Sequence, residues 1–325
     1  MILITGTTGL LGNSVVREFI ARGEPVRAFC RPSSNLRALA DLPVQLYQGE
    51  LTSLESMAKA IEGCSTVVHC AAHIHLGWNR LEESRAINAA GTRTVAEVCR
   101  ASGCRMIHVS TVDALPVAPN PDHPVTESCT GLPNVPCSYV ISKQEAERVV
   151  LEFLADGLDA VIINPGFLLG PYDWKPSSGR MMLQLRQAPI VIAPGGGASA
   201  CDARDVAHAI ANCVQLGRCG QRFIVAGTNI TYQQLWTEML RTMGSRKRVH
   251  CFPRAVAASG PIIDAINLLR GRRDATPNGA EIAMGGLYHY YDSSKAQREL
   301  NYQTRPLSET ITDAWDWLSH NHLRT

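Results

Sequence analysis

The sequence predicts an α/β fold: a doubly wound parallel sheet covered by helices, with a smaller, mixed α/β C-terminal lobe. Three observations predict it. Short apolar runs alternate with amphipathic stretches through the first half. Gly6, Gly9 and Gly12 fall at the first strand-to-helix turn. After Pro165 the regular alternation gives way to segments punctuated by Pro and Gly.

The elements follow in order. Ile2–Thr5 reads as an apolar strand and Leu10–Arg22 as a helix ended by Gly23. Pro25–Cys30 and Val44–Gly49 are the next two strands. Ser53–Glu62 reads as a helix, with Ser53 as N-cap and Gly63 just past its end. Thr66–Cys70 is a fourth strand, Glu83–Ala101 a long helix stopped by Gly103, and Arg105–Val109 a fifth strand. A helix over Ser138–Leu154 precedes a sixth strand, Ala160–Asn164. Strand–helix alternation of this kind builds a parallel sheet with helices on both faces. Downstream, the pattern predicts strands at Ile190–Ala193 and Arg222–Ala226, with helices at Ala203–Leu216, Thr231–Met243 and Leu307–Ser319. The expected division is a dinucleotide-binding domain over 1–165 and a mainly substrate-binding lobe over 166–325. Some segments of that lobe are allowed to return to the sheet.

Composition narrows the function. The chain has 325 residues, 45% hydrophobic and 18% charged, with a formal net charge of +2. That balance fits a globular chain, and the small net charge argues against a nucleic-acid partner. The short basic run Arg246-Lys247-Arg248 reads as a solvated turn. Eleven scattered cysteines without a Cys-x-x-Cys pair favour reduced thiols and a cytoplasmic setting. The chain enters its first strand at once, so no signal peptide is expected. No apolar run approaches the ~20 residues of a membrane helix, so no membrane partner is expected.

The glycines carry the first chemistry. Between an apolar strand and an amphipathic helix, Gly6 permits the tight turn, Gly9 a close backbone approach and Gly12 close helix–sheet packing. The amides around Thr8, Leu10 and Leu11 then face the positive end of the helix dipole, a cradle for a pyrophosphate. This is the Rossmann-type arrangement for a nicotinamide dinucleotide. A second motif lies between the fifth and sixth strands. Tyr139 and Lys143 stand one turn apart on a helix and share a face. A free tyrosine titrates near pH ~10, and a neighbouring ammonium favours its phenolate. The pair therefore reads as an acid/base tyrosine tuned by a lysine.

The amino-terminal Thr-Gly-x-x-Gly-x-x-Gly together with Tyr-x-x-x-Lys resembles the extended short-chain dehydrogenase/reductase family, in its epimerase/dehydratase group. The chain is most similar to the dihydroflavonol-reductase-like branch. The resemblance implies that Thr111, at the end of the fifth strand, supplies the catalytic hydroxyl; Ser110 is the competing assignment. It places Asn88 near the active-site lysine, where a purely structural contact is the alternative. It sets Glu50 and Leu51 beside the adenine, Cys70, Ala71 and Ala72 along the cofactor, and Pro165, Gly166 and Phe167 past the nicotinamide. Lys143 would also hold the nicotinamide ribose. Arg204 and Asp205 resemble a family motif and read as structural.

The end of the second strand selects the cofactor. Where an NAD-preferring chain places a carboxylate, this chain has Cys30 followed by Arg31. A guanidinium binds a 2′-phosphate, and Ser33 and Ser34 add hydroxyl donors. NADP(H) is therefore favoured, with NAD(H) the alternative. The expected reaction is reduction of a carbonyl, with a small carbonyl or alcohol molecule as partner. An NAD-dependent sugar-nucleotide epimerase or dehydratase is the first alternative, and it needs cations such as Arg180, Arg186 and Arg222 for a second pyrophosphate. A non-catalytic NADP-sensing regulator is the second. His69, His73 and His75 lack further ligands at metal spacing, so no metal is expected. Trp78, Phe167, Trp174 and Met181 are candidate pocket walls, and Cys129 and Cys137 flank the loop before Tyr139. Tyr288, Tyr290 and Tyr291 read as lobe packing. A homodimer through the two long helices is implied by resemblance alone.

Overall fold

The computed structural model describes residues 1–128, 131–272 and 276–323. Its strands are β1 (Ile2–Thr5), β2 (Val26–Cys30), β3 (Gln45–Gln48), β4 (Thr66–His69), β5 (Arg105–Val109), β6 (Ala160–Pro165), β7 (Phe167–Leu169), β8 (Val191–Ala193), β9 (Gly197–Asp202), β10 (Arg222–Val225), β11 (Thr228–Thr231), β12 (Val249–Cys251) and β13 (Tyr288–His289). The helices are α1 (Leu10–Ala21), α2 (Leu54–Ile61), α3 (Leu81–Arg85), α4 (Gly91–Ser102), α5 (Ser138–Ala155), α6 (Gly179–Gln187), α7 (Ala203–Leu216), α8 (Tyr232–Thr242), α9 (Gly260–Leu269), α10 (Gly279–Gly285), α11 (Ser294–Leu300) and α12 (Leu307–His322).

Seven strands form one sheet in the order β3-β2-β1-β4-β5-β6-β10, every pair parallel. Its strands are apolar on both sides because both sides are covered. Ile4, Val68, Ile107 and Ile163 pack with Val15 and Phe19 of α1 and Val206 and Ile210 of α7. Their chain neighbours Leu3, Val67, Met106 and Ile162 face the other way, onto Met57 of α2, Val95 of α4 and Val150 of α5. The period of two thus builds two cores from one set of strands. The strand order reverses between β1 and β4, which opens a crevice at their carboxyl ends.

The second half is not set apart from this sheet. β10 pairs with β6, and α7 packs on α1, so segments beyond Pro165 complete the parallel layer. What remains is a small sheet around β9, joined by β7 and β13 in parallel and β11 antiparallel, and covered by α6, α8 and α12.

One expected element differs. The helix expected over Glu83–Ala101 is α3 and α4 joined by a π-helical turn at Ala86–Ala90. The widened turn aims Asn88 inward, where its side chain is fully buried. π-turns of this kind occur often at functional sites.

Candidate active site

The cradle forms where β1 runs into α1. Gly6 has φ +72, and a methyl there would lie 2.7 Å from the Ala71 nitrogen. A methyl on Gly12 would lie 2.1 Å from the Gly6 carbonyl oxygen. Both glycines are demanded by the protein's own packing. Gly9 is not: a methyl there meets nothing nearer than the Gly6 oxygen at 3.5 Å. The space above Gly9 is open, and the start of α1 carries neither a side-chain cap nor an acid in its first turn. Uncapped amides at a helix N-terminus are a ready anion site. Cys70, Ala71 and Ala72 follow β4 directly beside this turn. The residues present therefore fit a dinucleotide pyrophosphate.

At the end of β2, Cys30 is buried with its Sγ 3.0 Å from the Thr7 hydroxyl. The chain then emerges. Arg31 and Ser33 are exposed, and the Ser34 amide donates to the Arg31 carbonyl at 3.0 Å, closing a turn that holds the three together. Among the described residues Arg31 makes no ion pair. Glu50 is exposed after β3, while Leu51 is buried against Gly91. Pro165 ends β6, and Gly166 and Phe167 lead into β7.

Tyr139 and Lys143 lie on the first two turns of α5, both buried. The Thr111 hydroxyl, which donates to Asp113 Oδ2 at 3.3 Å, lies close enough to the Tyr139 phenol to favour its ionised form. The Ser110 hydroxyl is buried with no partner among the described residues. The expected tuning of the tyrosine differs, however. The Lys143 ammonium donates to the Val109 carbonyl at 2.9 Å. The charge that acts on the phenol is instead the Asp113 carboxylate. Burial and Asp113 together hold Tyr139 above its ordinary range. Burial also lowers Lys143 to about 8, against the pull of Glu147.

Asn88 fixes the loop that follows β4. Its Oδ1 accepts from the His73 amide at 2.7 Å, and its Nδ2 donates to the His73 carbonyl and the Ser142 hydroxyl, each at 2.9 Å. It therefore links that loop to α5 one residue before Lys143. Arg222 is a correction. It lies on β10 in the main sheet, paired with the buried Glu147, which also accepts from Asn164 Nδ2 at 2.7 Å. Strand pairing took it from the second lobe and committed its charge. Arg186 lies over the Trp315 ring at 5.4 Å.

Comparison with known proteins bears on this geometry. The model of the NAD dependent epimerase/dehydratase family matches residues 2–232. The chain belongs to that family. Sterol demethylase protein B of Methylococcus capsulatus is 31% identical over 321 residues, covering 97% of this chain and 97% of that protein. A putative dihydroflavonol 4-reductase of Synechocystis is 28% identical, covering 99% and 96%. The crystal structure of gox2253 superposes with a TM-score of 0.87 at 27% identity, over 99% of this chain and 98% of that one.

In this epimerase/dehydratase-family oxidoreductase, sequence reasoning missed Asp113. It closes a 3-10 turn capped by Thr111, and its Oδ2 accepts from the Thr111 hydroxyl at 3.3 Å. Its Oδ1 lies 3.3 Å from Nδ1 of the buried His289. The Thr-x-Asp spacing was the available signal. Other expectations resolve plainly. His69 is buried between Thr5 and Thr92 and lowered to about 3, so it stays neutral. Among the described residues no cluster could hold a metal. The Tyr291 hydroxyl donates to backbone carbonyls of Val112 and Pro116, a packing role. Asp202 rather than Asp205 caps α7, and Arg204 and Arg305 pair with these acids. Trp174 stacks edge-on against Trp317, and the Trp236 indole contacts the sulfur of Met181. Cys137 is buried against α10; Cys129 lies outside the described residues. A cleft of about 430 Å³ between α1 and α7 takes none of the expected site residues. Its arginines are committed to Asp41, Asp202, Asp205 and Asp313.

Proposed function

We propose that the protein reduces a carbonyl group of a largely apolar small molecule, with NADPH as the hydride source. The observation that carries this is the placement of Tyr139 and Lys143, both buried one turn apart on α5, against Thr111 at the end of β5. When bound, the nicotinamide supplies the hydride to the carbonyl carbon. Tyr139 donates its proton to the carbonyl oxygen as negative charge develops there. Thr111 hydrogen-bonds the same oxygen and stabilises that charge. Lys143 orients the cofactor ribose and adds positive charge under the site. Asn88 holds the loop from His73 against α5. Burial, with Asp113 beside it, raises the phenol further above its ordinary range, which suits proton donation.

Two features support NADPH over NADH. Cys30 puts a buried thiol where a carboxylate would repel a 2′-phosphate, and Arg31 offers an uncommitted guanidinium beside Ser33 and Ser34. The apolar substrate is supported by two relatives. One is named for sterol demethylation and the other for a dihydroflavonol, both polycyclic molecules.

The test is a panel of hydrophobic ketones, with loss of NADPH or NADH absorbance followed for the wild type and for Tyr139→Phe. Turnover that prefers NADPH and collapses in Tyr139→Phe is the expected result. Full turnover by Tyr139→Phe would refute the role given to the phenol.

A further inference from the structure

α9 carries its apolar side chains on the outside of the protein. Of its 10 residues only Gly260 is buried. Ile262 is 62% exposed, Leu268 60% and Leu269 88%. Ile266 joins Ile262 and Leu269 at i, i+4 and i+7, so one stripe is continuous. Solvent-facing leucines and isoleucines at this density mark a contact surface.

The charges around the helix are one-sided. Its single acid, Asp264, turns into the protein: it accepts from the Gly279 amide at 2.7 Å and from the Trp78 indole at 2.9 Å. Arg270 and Arg272 follow the last turn, both exposed and, among the described residues, without an ion pair.

This helix also borders the catalytic tyrosine. A methyl on Gly260 would lie 2.7 Å from the Gly279 carbonyl, so α9 and α10 touch backbone to backbone. α10 in turn packs Ala280 and Met284 on Tyr139, Val140 and Cys137. From the other side, the loop bearing Trp78 accepts the amides of Ser138 (Gly77 carbonyl, 2.8 Å) and Tyr139 (His75 carbonyl, 3.2 Å). α9 thus abuts α10, which packs on Tyr139.

We propose that α9 docks the protein flat on an anionic lipid surface, and that the substrate reaches Tyr139 from that surface. The second half of the proposal rests on the apolar-carbonyl reading above; the first does not. No helix among the described residues is long and apolar enough to cross a membrane. A helix of this length extends about 15 Å, half the hydrocarbon thickness of a bilayer. It does not need to cross. An apolar stripe with a cationic end is the pattern of a helix lying in the interface. The sequence-based expectation of no membrane partner rested on span length, which a helix lying flat does not require. Charge selects lipid over a second copy of the chain. A second α9 offers no outward carboxylate to Arg270 and Arg272, whereas anionic headgroups do.

The experiment is co-sedimentation of the full-length protein with vesicles. One set is phosphatidylcholine alone, the other phosphatidylcholine with phosphatidylglycerol. The wild type is expected to sediment with the anionic vesicles and to be released by salt. The variant I262S/I266S/L269S is expected to lose roughly 10³-fold in vesicle affinity, since each buried apolar side chain contributes roughly tenfold. Arg270→Glu/Arg272→Glu is expected to lose the preference for anionic vesicles. Both variants should keep wild-type rates on a short water-soluble ketone, which shows that they fold. Wild type that stays in the supernatant with both vesicle sets overturns the proposal. So does an α9-dependent dimer in size-exclusion chromatography that the serine variant loses. Vesicle binding without turnover of any ketone would leave the docking surface standing and sink the reductase reading instead.

Discussion

Lys143 Nζ and the Val109 carbonyl oxygen are 2.9 Å apart, which joins α5 to the end of β5. This bond holds an ammonium in the interior, with the side chain of Lys143 only 2% exposed as a whole residue. Burial lowers its pKa from 10.5 to about 8. A shift of that size corresponds to about 3 kcal/mol against folding with the charge in place. The bond to Val109 returns about 1 kcal/mol. Lys143→Met should therefore raise stability at neutral pH by about 1–2 kcal/mol while abolishing turnover. The sign with pH follows from the depressed folded value. Between about 8 and 10.5 the unfolded chain keeps a proton that the folded one has released. The wild type should thus gain on Lys143→Met as pH rises through that window. Urea unfolding of both proteins at neutral and alkaline pH measures the difference. A variant less stable than wild type at neutral pH would contradict the cost assigned to this lysine.

Thr111 and Ser110 make opposite predictions. Thr111 lies beside the Tyr139 phenol and its hydroxyl donates to Asp113, whereas the Ser110 hydroxyl finds no partner among the described residues. Thr111→Val should lower kcat roughly 10²–10³-fold, as loss of one oxyanion donor does. Thr111→Ser should keep most activity, and Ser110→Ala should stay near wild type. Tyr139→Phe should cost roughly 10²–10⁴-fold. Steady-state kinetics on one ketone separates the four; equal losses in the Ser110 and Thr111 variants would remove the distinction.

Asp113 adds to burial in raising the Tyr139 phenol, so it is expected to shift the alkaline limit of the proposed reduction. Its carboxylate helps to hold the Tyr139 phenol above the ordinary range, so the protonated acid persists through neutral pH. Replacing that charge lowers the phenol pKa. Asp113→Asn should therefore move the alkaline fall of kcat/KM for reduction to lower pH. The same change should let alcohol oxidation, which needs the phenolate, begin at lower pH. A pH–rate profile in both directions checks the pair of shifts. Unmoved limbs would mean that Asp113 acts on the turn at Val112–Ala114 and not on the phenol.

The parts of the site that repeat a spacing were legible in the sequence. Gly6, Gly9 and Gly12 fix a turn by local geometry, and Tyr139 and Lys143 share a face by helical period. Thr111 came from the family resemblance at the end of the fifth strand, with Ser110 left as the alternative. What was hidden depended on contacts across the fold. Nothing in Ile87-Asn88-Ala89 announces a π-turn, because its reward is the His73 backbone, fifteen positions away. Arg222 looked available until β10 paired with β6 and set it on Glu147. The direction of Lys143 was concealed for a similar reason: period places a side chain on a face but does not choose its acceptor. α9 was not anticipated, and an apolar segment does not by itself reveal whether anything covers it.

The proposed preference for NADPH rests on Arg31. This residue follows the buried Cys30, is exposed, and forms no ion pair among the described residues. Loss of a guanidinium from a 2′-phosphate removes a charge-assisted, bidentate contact of about 1.5–3 kcal/mol. Arg31→Ala should weaken NADPH binding roughly 10–100-fold and leave NADH within about twofold. Titration calorimetry with both dinucleotides gives the comparison directly. Wild type that binds NADH more tightly than NADPH would end the case for this selector.

Gly9 and Gly12 separate the cradle's two duties. A methyl on Gly12 would sit 2.1 Å from the backbone oxygen of Gly6, inside any tolerable contact. Backbone on both sides leaves nothing flexible to yield, so Gly12→Ala should cost more than about 3 kcal/mol or prevent folding. Gly9 has φ −89, open to any residue, and its methyl would meet only the Gly6 oxygen at 3.5 Å. Gly9→Ala should leave stability within about 0.5 kcal/mol. Its methyl would nevertheless stand where a pyrophosphate approaches the start of α1, so dinucleotide affinity should fall more than about tenfold. Thermal unfolding and dinucleotide titration on the two variants test the contrast. If Gly9→Ala bound NADPH as tightly as wild type, the space above Gly9 would have to serve something other than the phosphates.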